Sequence, residues 1–381
     1  MNGLYIHIPF CLQKCHYCDF YSLPARLDAR EAYVNAVLDE SEAYAGLSFQ
    51  TMYLGGGTPS LLGGKLISNL IRGLGKSLNL AGIVEATIEV NPESATREFL
   101  EAARNVGINR VSIGVQSLTD DELKAVGRIH TAAQAMEAVG LARQLCFNSI
   151  SADLIIGLPG QTWLTLSQSL DTLVGYGIEH LSLYCLSLEE GTPLADNPPD
   201  DLPSDDTQAE LFQQASSFLQ GHHYIHYEIS NFALNGHECR HNINYWRGGE
   251  YLGLGPSAAS HLEGRRFRNH PDLNHYLEKP TFQIADNEVL HPKNKAGEEA
   301  MLRLRLLTEG INVNELTARF GQDNIEALIG RLDYMAGQGR LVTDGSTYRL
   351  PPSRVLTSNP IFAEVLEPGH DRIENLKTIQ R

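Results

Sequence analysis

No run of about 18 apolar residues occurs in the 381-residue chain, so a membrane-spanning helix is not expected. The first ten residues, MNGLYIHIPF, lack the basic start, apolar middle and small-residue cleavage site of a secretion signal, which makes a cytosolic location the expectation. Basic residues are scarce, 30 against 46 acidic, for a formal charge of −16. Such a surface is a poor partner for a phosphate backbone, and nucleic acid is not expected as a ligand. Cysteine is also sparse. Six occur, at 11, 15, 18, 146, 185 and 239, and three of them crowd into one short loop. In a reducing compartment that clustering points to metal, not to a disulfide framework.

What is present is an ordinary globular composition, 42% hydrophobic, at a length that suits one large domain and a smaller one. Strand-like runs at Leu4–Ile8, Thr51–Leu54, Ala86–Val90, Arg110–Gly114, Ile150–Ile156 and His180–Leu186 alternate with helix-like stretches. These stretches are Glu31–Ala45, Leu66–Leu78, Arg97–Val106, Ala132–Leu145 and Leu164–Tyr176, with a further helix start after Thr119. The alternation implies parallel βα units and an α/β fold, a partial (β/α)6 barrel over residues 1–195. Polar and glycine-rich signals follow the strands: His7-Ile8-Pro9, Gly55-Gly56-Gly57-Thr58-Pro59, Asn91-Pro92-Glu93, Gln116-Ser117 and Gly157–Gly160. In parallel barrels those loops share one mouth. Residues 196–290 are expected to extend the barrel, with a helix near Thr207–Leu219. Residues 291–367 are expected to form a mainly helical, winged-helix-like domain: Gly297–Leu307, Val313–Phe320, Asn324–Gln338, then a hairpin over Leu341–Leu350. Residues 368–381 read as a tail.

Cys11, Cys15 and Cys18 follow the first strand in the spacing Cx3CxxC. Thiolates bind iron well, and a short loop can fold three of them around a [4Fe–4S] cubane. Three ligands leave one iron open to chelation by the amino and carboxylate groups of a methionine moiety. A structural zinc site is the alternative, with a fourth ligand from His7, His16 or Asp19.

On the cysteine spacing, the glycine-rich second loop and the ordered polar residues after later strands, the chain resembles the radical S-adenosylmethionine superfamily. Within it, from Leu4 to about Leu356, it is similar to the group shared by oxygen-independent coproporphyrinogen III dehydrogenases and HemW haem chaperones. The resemblance implies electron transfer from a reduced cluster to the sulfonium, releasing methionine and a 5′-deoxyadenosyl radical, with the protein orienting the reactants. It also implies an electron donor as partner. Tyr5 and Tyr17 match aromatic positions around the nucleotide, though each also reads as an ordinary core tyrosine. Gly56, Gly57 and Thr58 match the loop that approaches the methionine end, where glycine admits a close backbone. A tight strand-end turn would use the same residues. Glu89, Gln116, Arg128 and Asp153 match the family's polar shell. Arg128 can pair with the cofactor carboxylate, Gln116 or Asp153 can accept from ribose hydroxyls, and Glu89 can accept from the ammonium.

Within that group the dehydrogenases resemble CxxxCxxCxC, whereas Phe20 stands here at the fourth cysteine's place. They also carry a substrate-binding arm ahead of the first strand, which in this chain starts at Leu4. Both departures argue against decarboxylation. His241-Asn242-Ile243-Asn244-Tyr245-Trp246 matches the HNxxYW motif of the HemW group. His241 is a candidate axial haem ligand and Tyr245 and Trp246 candidate porphyrin-packing residues. A buried aromatic corner with a satisfied histidine is the bland alternative. The expectation is a haem chaperone that carries haem as cargo, with acceptor haem proteins such as respiratory ones as partners. It would be cytosolic and peripheral at the membrane on delivery. The alternatives are a coproporphyrinogen III dehydrogenase and a cluster-bearing scaffold without radical turnover. His222, His223, His226 and His237 read as loop residues, with a Cys239–His237 zinc pair as a minor alternative. Cys146 and Cys185 read as small buried apolar residues. Gly253–His261 resembles a further family loop, with Ala259 where a histidine commonly stands.

Overall fold

Six parallel strands separated by helices occupy the first half of the computed structural model, which describes residues 2–24, 26–281 and 284–366. They are β1 (Asn2–Ile8), β2 (Thr51–Gly56), β3 (Glu85–Val90), β4 (Arg110–Gln116), β5 (Ser149–Ile156) and β6 (His180–Cys185), hydrogen-bonded in that order. The helices between them are α1 (Arg30–Glu42), α2 (Gly63–Ser77), α3 (Arg97–Asn105), α4 (Asp120–Ala125), α5 (Ala132–Gln144) and α6 (Trp163–Gly175). Each expected strand lies within two residues of its observed bounds. Hydroxyl caps set several helix starts: Thr96, Thr131 and Thr162 accept from the backbone N–H groups of Phe99, Gln134 and Thr165. On α2 the buried side chains Ile67, Leu70, Ile71 and Leu74 recur at helical spacing and form its core-facing stripe.

The register sorts the side chains of this parallel sheet by polarity. Leu4, Ile6 and Ile8 align with Met52 and Leu54, with Ala86, Ile88 and Val90, and with Val111 and Ile113. All are buried. On the opposite face Tyr5 and His7 align with Tyr53 and Gly55, and Glu89 with Ser112, then Ser151 and His180, with Asp153 beside Ser182. The apolar face meets the helices and the polar face lines the inside of the partial barrel. A parallel strand buried on both sides by hydrophobic layers would read as a continuous apolar run; these strands alternate instead.

Both edges of the sheet carry strands that the periodicity did not reveal. After helix α7 (Asp205–Gly221), strand β7 (Asn231–Ala233) runs antiparallel to β6. Helix α8 (Arg240–Trp246) precedes β8 (Glu250–Leu254), which lies parallel to β1, followed by the antiparallel strands β9 (Ala259–Leu262) and β10 (Arg265–Asn269). Helix α9 (Leu273–Glu278) closes this extension.

The chain divides into two units. The first is Met1–Ile225, Ser230–His241 and Glu250–Asn287. Most of the expected barrel extension, 196–290, falls in this unit, while His226–Ile229 and Asn242–Gly249 join the second unit with the chain from Glu288 onward. In that second unit α10 (Pro292–Arg303), α11 (Val313–Phe320) and α12 (Gln322–Gly337) are followed by β12 (Val342–Thr343) and β13 (Thr347–Arg349). Strand β11 (Ile311–Asn312) pairs with β13 and completes a small antiparallel sheet, and α13 (Asn359–Val365) follows. The order is that of a winged-helix module. Helix α10 starts five residues before the expected Gly297 because Pro292 occupies its first turn, where the missing N–H costs nothing. The expected tail, 368–381, lies outside the described residues.

Candidate cluster and cofactor site

The loop after β1 carries Cys11, Cys15 and Cys18, all partly buried. Backbone bonds hold its shape. Gly57 N–H donates to Ile8 O and Thr58 N–H to Phe10 O, at 2.8 and 2.7 Å, so the second loop is laced onto the first. His16 N–H donates to Val126 O and Leu194 N–H to His16 O, both at 3.0 Å. The glycines of the second loop permit this lacing. A Cβ on Gly57 would sit 2.6 Å from Phe10 O, and one on Gly56, whose φ is +106°, 2.7 Å from the His7 ring.

Burial pushes the Cys18 thiol up to about 11, with Cys15 and Cys11 adding to it, and raises Cys11 as well. Three partly buried thiols in one short loop form a soft donor set that fits an iron–sulfur cluster. No three His, Cys, Asp or Glu side chains among the described residues gather closely enough for a single metal ion. His7 is also committed elsewhere. Its Nε2 donates to Tyr21 O (2.8 Å) and its Nδ1 accepts from the Tyr5 hydroxyl (3.0 Å), a tautomer assigned from these partners. Burial lowers its pKa to about 4, so the ring is neutral. With both ring nitrogens hydrogen-bonded, His7 is not poised as a fourth zinc ligand.

Behind the cysteines a ring of polar side chains closes. The Thr58 hydroxyl donates to Cys11 Sγ and Arg128 Nη1 to Cys15 Sγ, each at 3.6 Å. Asn91 joins the two: its Nδ2 donates to Thr58 Oγ1 (3.0 Å), and its Oδ1 accepts from Arg128 Nη2 (2.9 Å). Arg128 Nη2 also donates to Gly114 O (2.8 Å) and Nε to His130 Nδ1 (3.3 Å). Burial works against the guanidinium charge, but Tyr17, Cys15 and Glu93 hold its pKa above the ordinary value.

The remaining candidates line the barrel around this ring. Glu89 accepts from the Tyr53 hydroxyl (2.7 Å) and from Gly56 N–H (3.3 Å). Burial raises it to about 7 against those donors, and Asp153 adds to the rise. Asp153 is raised by burial, while Ser182 and Ser112 oppose it; both its oxygens lie 3.2 Å from Ser112 Oγ. Gln116 ends β4 at a register shift with φ +63°, a left-handed conformation rare outside glycine and of the kind that re-aims a side chain. Tyr5 sits on the polar face beside Tyr53, with ring centroids 6.4 Å apart. Tyr17 packs against Val126, Ile155, Leu158 and Leu194. Asn91 and Ser112 were missed as site residues by sequence reasoning, and His7 was read only as a possible zinc ligand. Asn91 stood in a flagged loop, but nothing in the sequence ties it to Thr58 and Arg128.

The haem candidates lie elsewhere. His241 is 1% exposed, its Nδ1 2.9 Å from Thr51 Oγ1 and its ring stacked on Tyr53 at 5.3 Å. Arg240 and His241 donate their backbone N–H groups to Glu85, at 3.0 and 2.9 Å. Thr51 and Glu85 begin β2 and β3, so His241 closes the end of the barrel opposite the cysteines. Burial lowers its pKa to about 3. Trp246 belongs to the second unit, where the Arg305 guanidinium lies 4.3 Å above its buried ring. Tyr245 belongs to that unit as well. The geometry corresponds to a buried, satisfied histidine more closely than to a displayed ligand. Cys146 and Cys185, expected to be buried, are exposed.

Residues 5–173 match the family model described as the radical SAM superfamily. The chain is 32% identical to the heme chaperone HemW of Lactococcus lactis over 96% of its own length and 97% of that protein's. It is 35% identical to the HemW of Mycobacterium tuberculosis, covering 90% and 93%. A solved structure of the radical SAM enzyme coproporphyrinogen III oxidase (HemN) from Escherichia coli superposes with a TM-score of 0.83. That match covers 96% of this chain and 89% of the other at 22% identity, a likeness of fold. No helix among the described residues is long and apolar enough to cross a membrane.

Proposed function

The chain belongs to the radical S-adenosylmethionine superfamily and within it to the HemW haem chaperones, and from that membership we propose that it binds haem and hands it to acceptor haem proteins. The observation that carries the reading is the near end-to-end match to proteins of that name, 97% of the Lactococcus lactis chain. Phe20, 44% exposed where the dehydrogenases hold a fourth cysteine, is consistent with it.

Cys11, Cys15 and Cys18 would hold a [4Fe–4S] cluster, and Gly56, Gly57, Thr58, Glu89, Gln116, Arg128 and Asp153 would surround S-adenosylmethionine, flanked by Tyr5 and Tyr17. When bound, this pair supplies one-electron chemistry at the sulfonium. The chain's own part is to neutralise and orient. Arg128 places a positive charge beside Cys15 and can take a carboxylate, while Glu89 and Asp153 offer acceptors to an ammonium and to hydroxyls. An electron donor is the expected partner at this mouth, and acceptor haem proteins, respiratory ones among them, receive the cargo. The chain works in the cytosol and meets the membrane only at delivery.

His241 can ligate haem iron only after its ring leaves Thr51 and Tyr53, so haem capture is coupled to a local opening at that residue. Haem titration of the reconstituted protein tests this. A Soret band that forms with wild type and is lost in His241→Ala, with the barrel still folded, is the expected result. Conversion of coproporphyrinogen III to protoporphyrinogen under anaerobic reducing conditions would overturn the chaperone reading. An unchanged Soret band in His241→Ala would move the ligand to another residue.

A further inference from the structure

Thr58 and Ser22 reach Cys11 and Arg128 reaches Cys15, and a single amide holds Thr58 and Arg128. We propose that Asn91 is a positioning residue that sets the cluster's reduction potential by aiming the Thr58 hydroxyl and the Arg128 guanidinium at Cys11 and Cys15 together. The inference rests on the reading of the three cysteines as cluster ligands.

A threonine hydroxyl rotates freely unless its lone pair is claimed. The Asn91 Nδ2 proton claims it at 3.0 Å, which leaves the hydroxyl proton for Cys11 Sγ. The guanidinium is fixed in the same way. Its Nη2 is clamped between Asn91 Oδ1 and Gly114 O, at 2.9 and 2.8 Å, and this turns Nη1 onto Cys15 Sγ. Only a side chain with a donor and an acceptor on one plane completes the ring Cys11–Thr58–Asn91–Arg128–Cys15. Carboxylates lack the donor and aliphatic side chains lack both. Cys18 stands outside it, with the Phe20 backbone as its hydrogen-bond partner. Hydrogen bonds to ligating sulfur withdraw charge from the cluster and favour its reduced form. The ring would therefore make a cluster held here easier to reduce, through Cys11 and Cys15 and not through Cys18.

Wild type, Asn91→Leu, Thr58→Val and the double variant are reconstituted anaerobically with iron and sulfide. Iron content is measured first, and a mediated redox titration is then followed by electron paramagnetic resonance without S-adenosylmethionine. In Asn91→Leu the reduced-to-oxidised ratio at a fixed poise falls about threefold, a size set by the loss of two aimed donors. The double variant falls by less than the product of the two single changes, because both act through one bond. Equal midpoints for wild type and Asn91→Leu at equal iron content overturn the proposal, and so does a fully additive double variant. If Asn91→Leu holds less iron than wild type, the smaller and uncharged Asn91→Ala decides: it removes both the donor to Thr58 and the acceptor for Arg128, and its ratio must also fall. A wild-type chain that takes up no iron overturns the three-cysteine reading itself, an outcome separate from unchanged midpoints in a loaded protein.

Discussion

Glu40 on α1 accepts from Gly255 N–H (2.8 Å), Asn269 Nδ2 (2.6 Å) and the Tyr276 hydroxyl (2.5 Å), yet burial outweighs these donors and raises it to about 7. A carboxyl raised in the folded state favours folding fully below its unfolded value, near 4.5, and loses that contribution as pH climbs towards 7. The loss is roughly 3 kcal/mol for a shift of this size. Urea unfolding is expected to show falling stability between pH 5 and 7.5 in the wild type and a flatter profile in Glu40→Gln. A profile of equal slope in both would remove Glu40 as the cause. Gly57 offers a second residue-scale expectation. Alanine there meets Phe10 O at 2.6 Å, so Gly57→Ala should cost about 1–3 kcal/mol and lower iron retention after reconstitution, read by calorimetry and iron assay.

At the scale of elements, α8 is held at its start by one side chain. Glu85 takes the backbone N–H groups of Arg240 and His241, so Glu85→Ala leaves two donors without that partner. A loss of about 1–2 kcal/mol is expected, with fluorescence of Trp246 reporting the change. Unaltered stability would show that His241 alone holds the segment. The six barrel strands and their helices were readable from the sequence because their alternation is a local signal. The cysteine loop was readable for the same reason. Strand β8 was not. Glu250–Leu254 has no period of its own, and its partner β1 lies far away in the chain. The ring through Asn91 was hidden likewise, since it joins the loops after β1, β2 and β3 with the segment after α4. For His241 the residue types left a haem ligand and a buried, satisfied histidine both open, and its burial against Thr51 and Tyr53 depends on contacts that residue types do not encode.

Across the whole first unit, polarity is divided between the two faces of one sheet. Neighbouring positions on β3 make the division testable. Ile88 is fully buried on the apolar face, and Ile88→Ala is expected to cost about 2–5 kcal/mol in denaturant melts. Glu89→Gln, one residue along on the polar face, should leave stability equal or higher at pH 7.5 while weakening S-adenosylmethionine binding to the reconstituted protein. Weaker folding in Glu89→Gln with unchanged binding would contradict the assignment of that face to the cofactor.

The pairing of β1 with β8 also has a timetable. During synthesis β1 emerges first and gains β2 on one side early, but its other neighbour arrives only with Glu250–Leu254. At about 5–20 residues per second that wait is roughly 12–50 seconds. Throughout it, the strand leading directly into the cysteine loop presents an unpaired edge, the kind of surface on which nascent chains associate wrongly. Any cluster loading before β8 docks would therefore be loading onto a strand still open on one side.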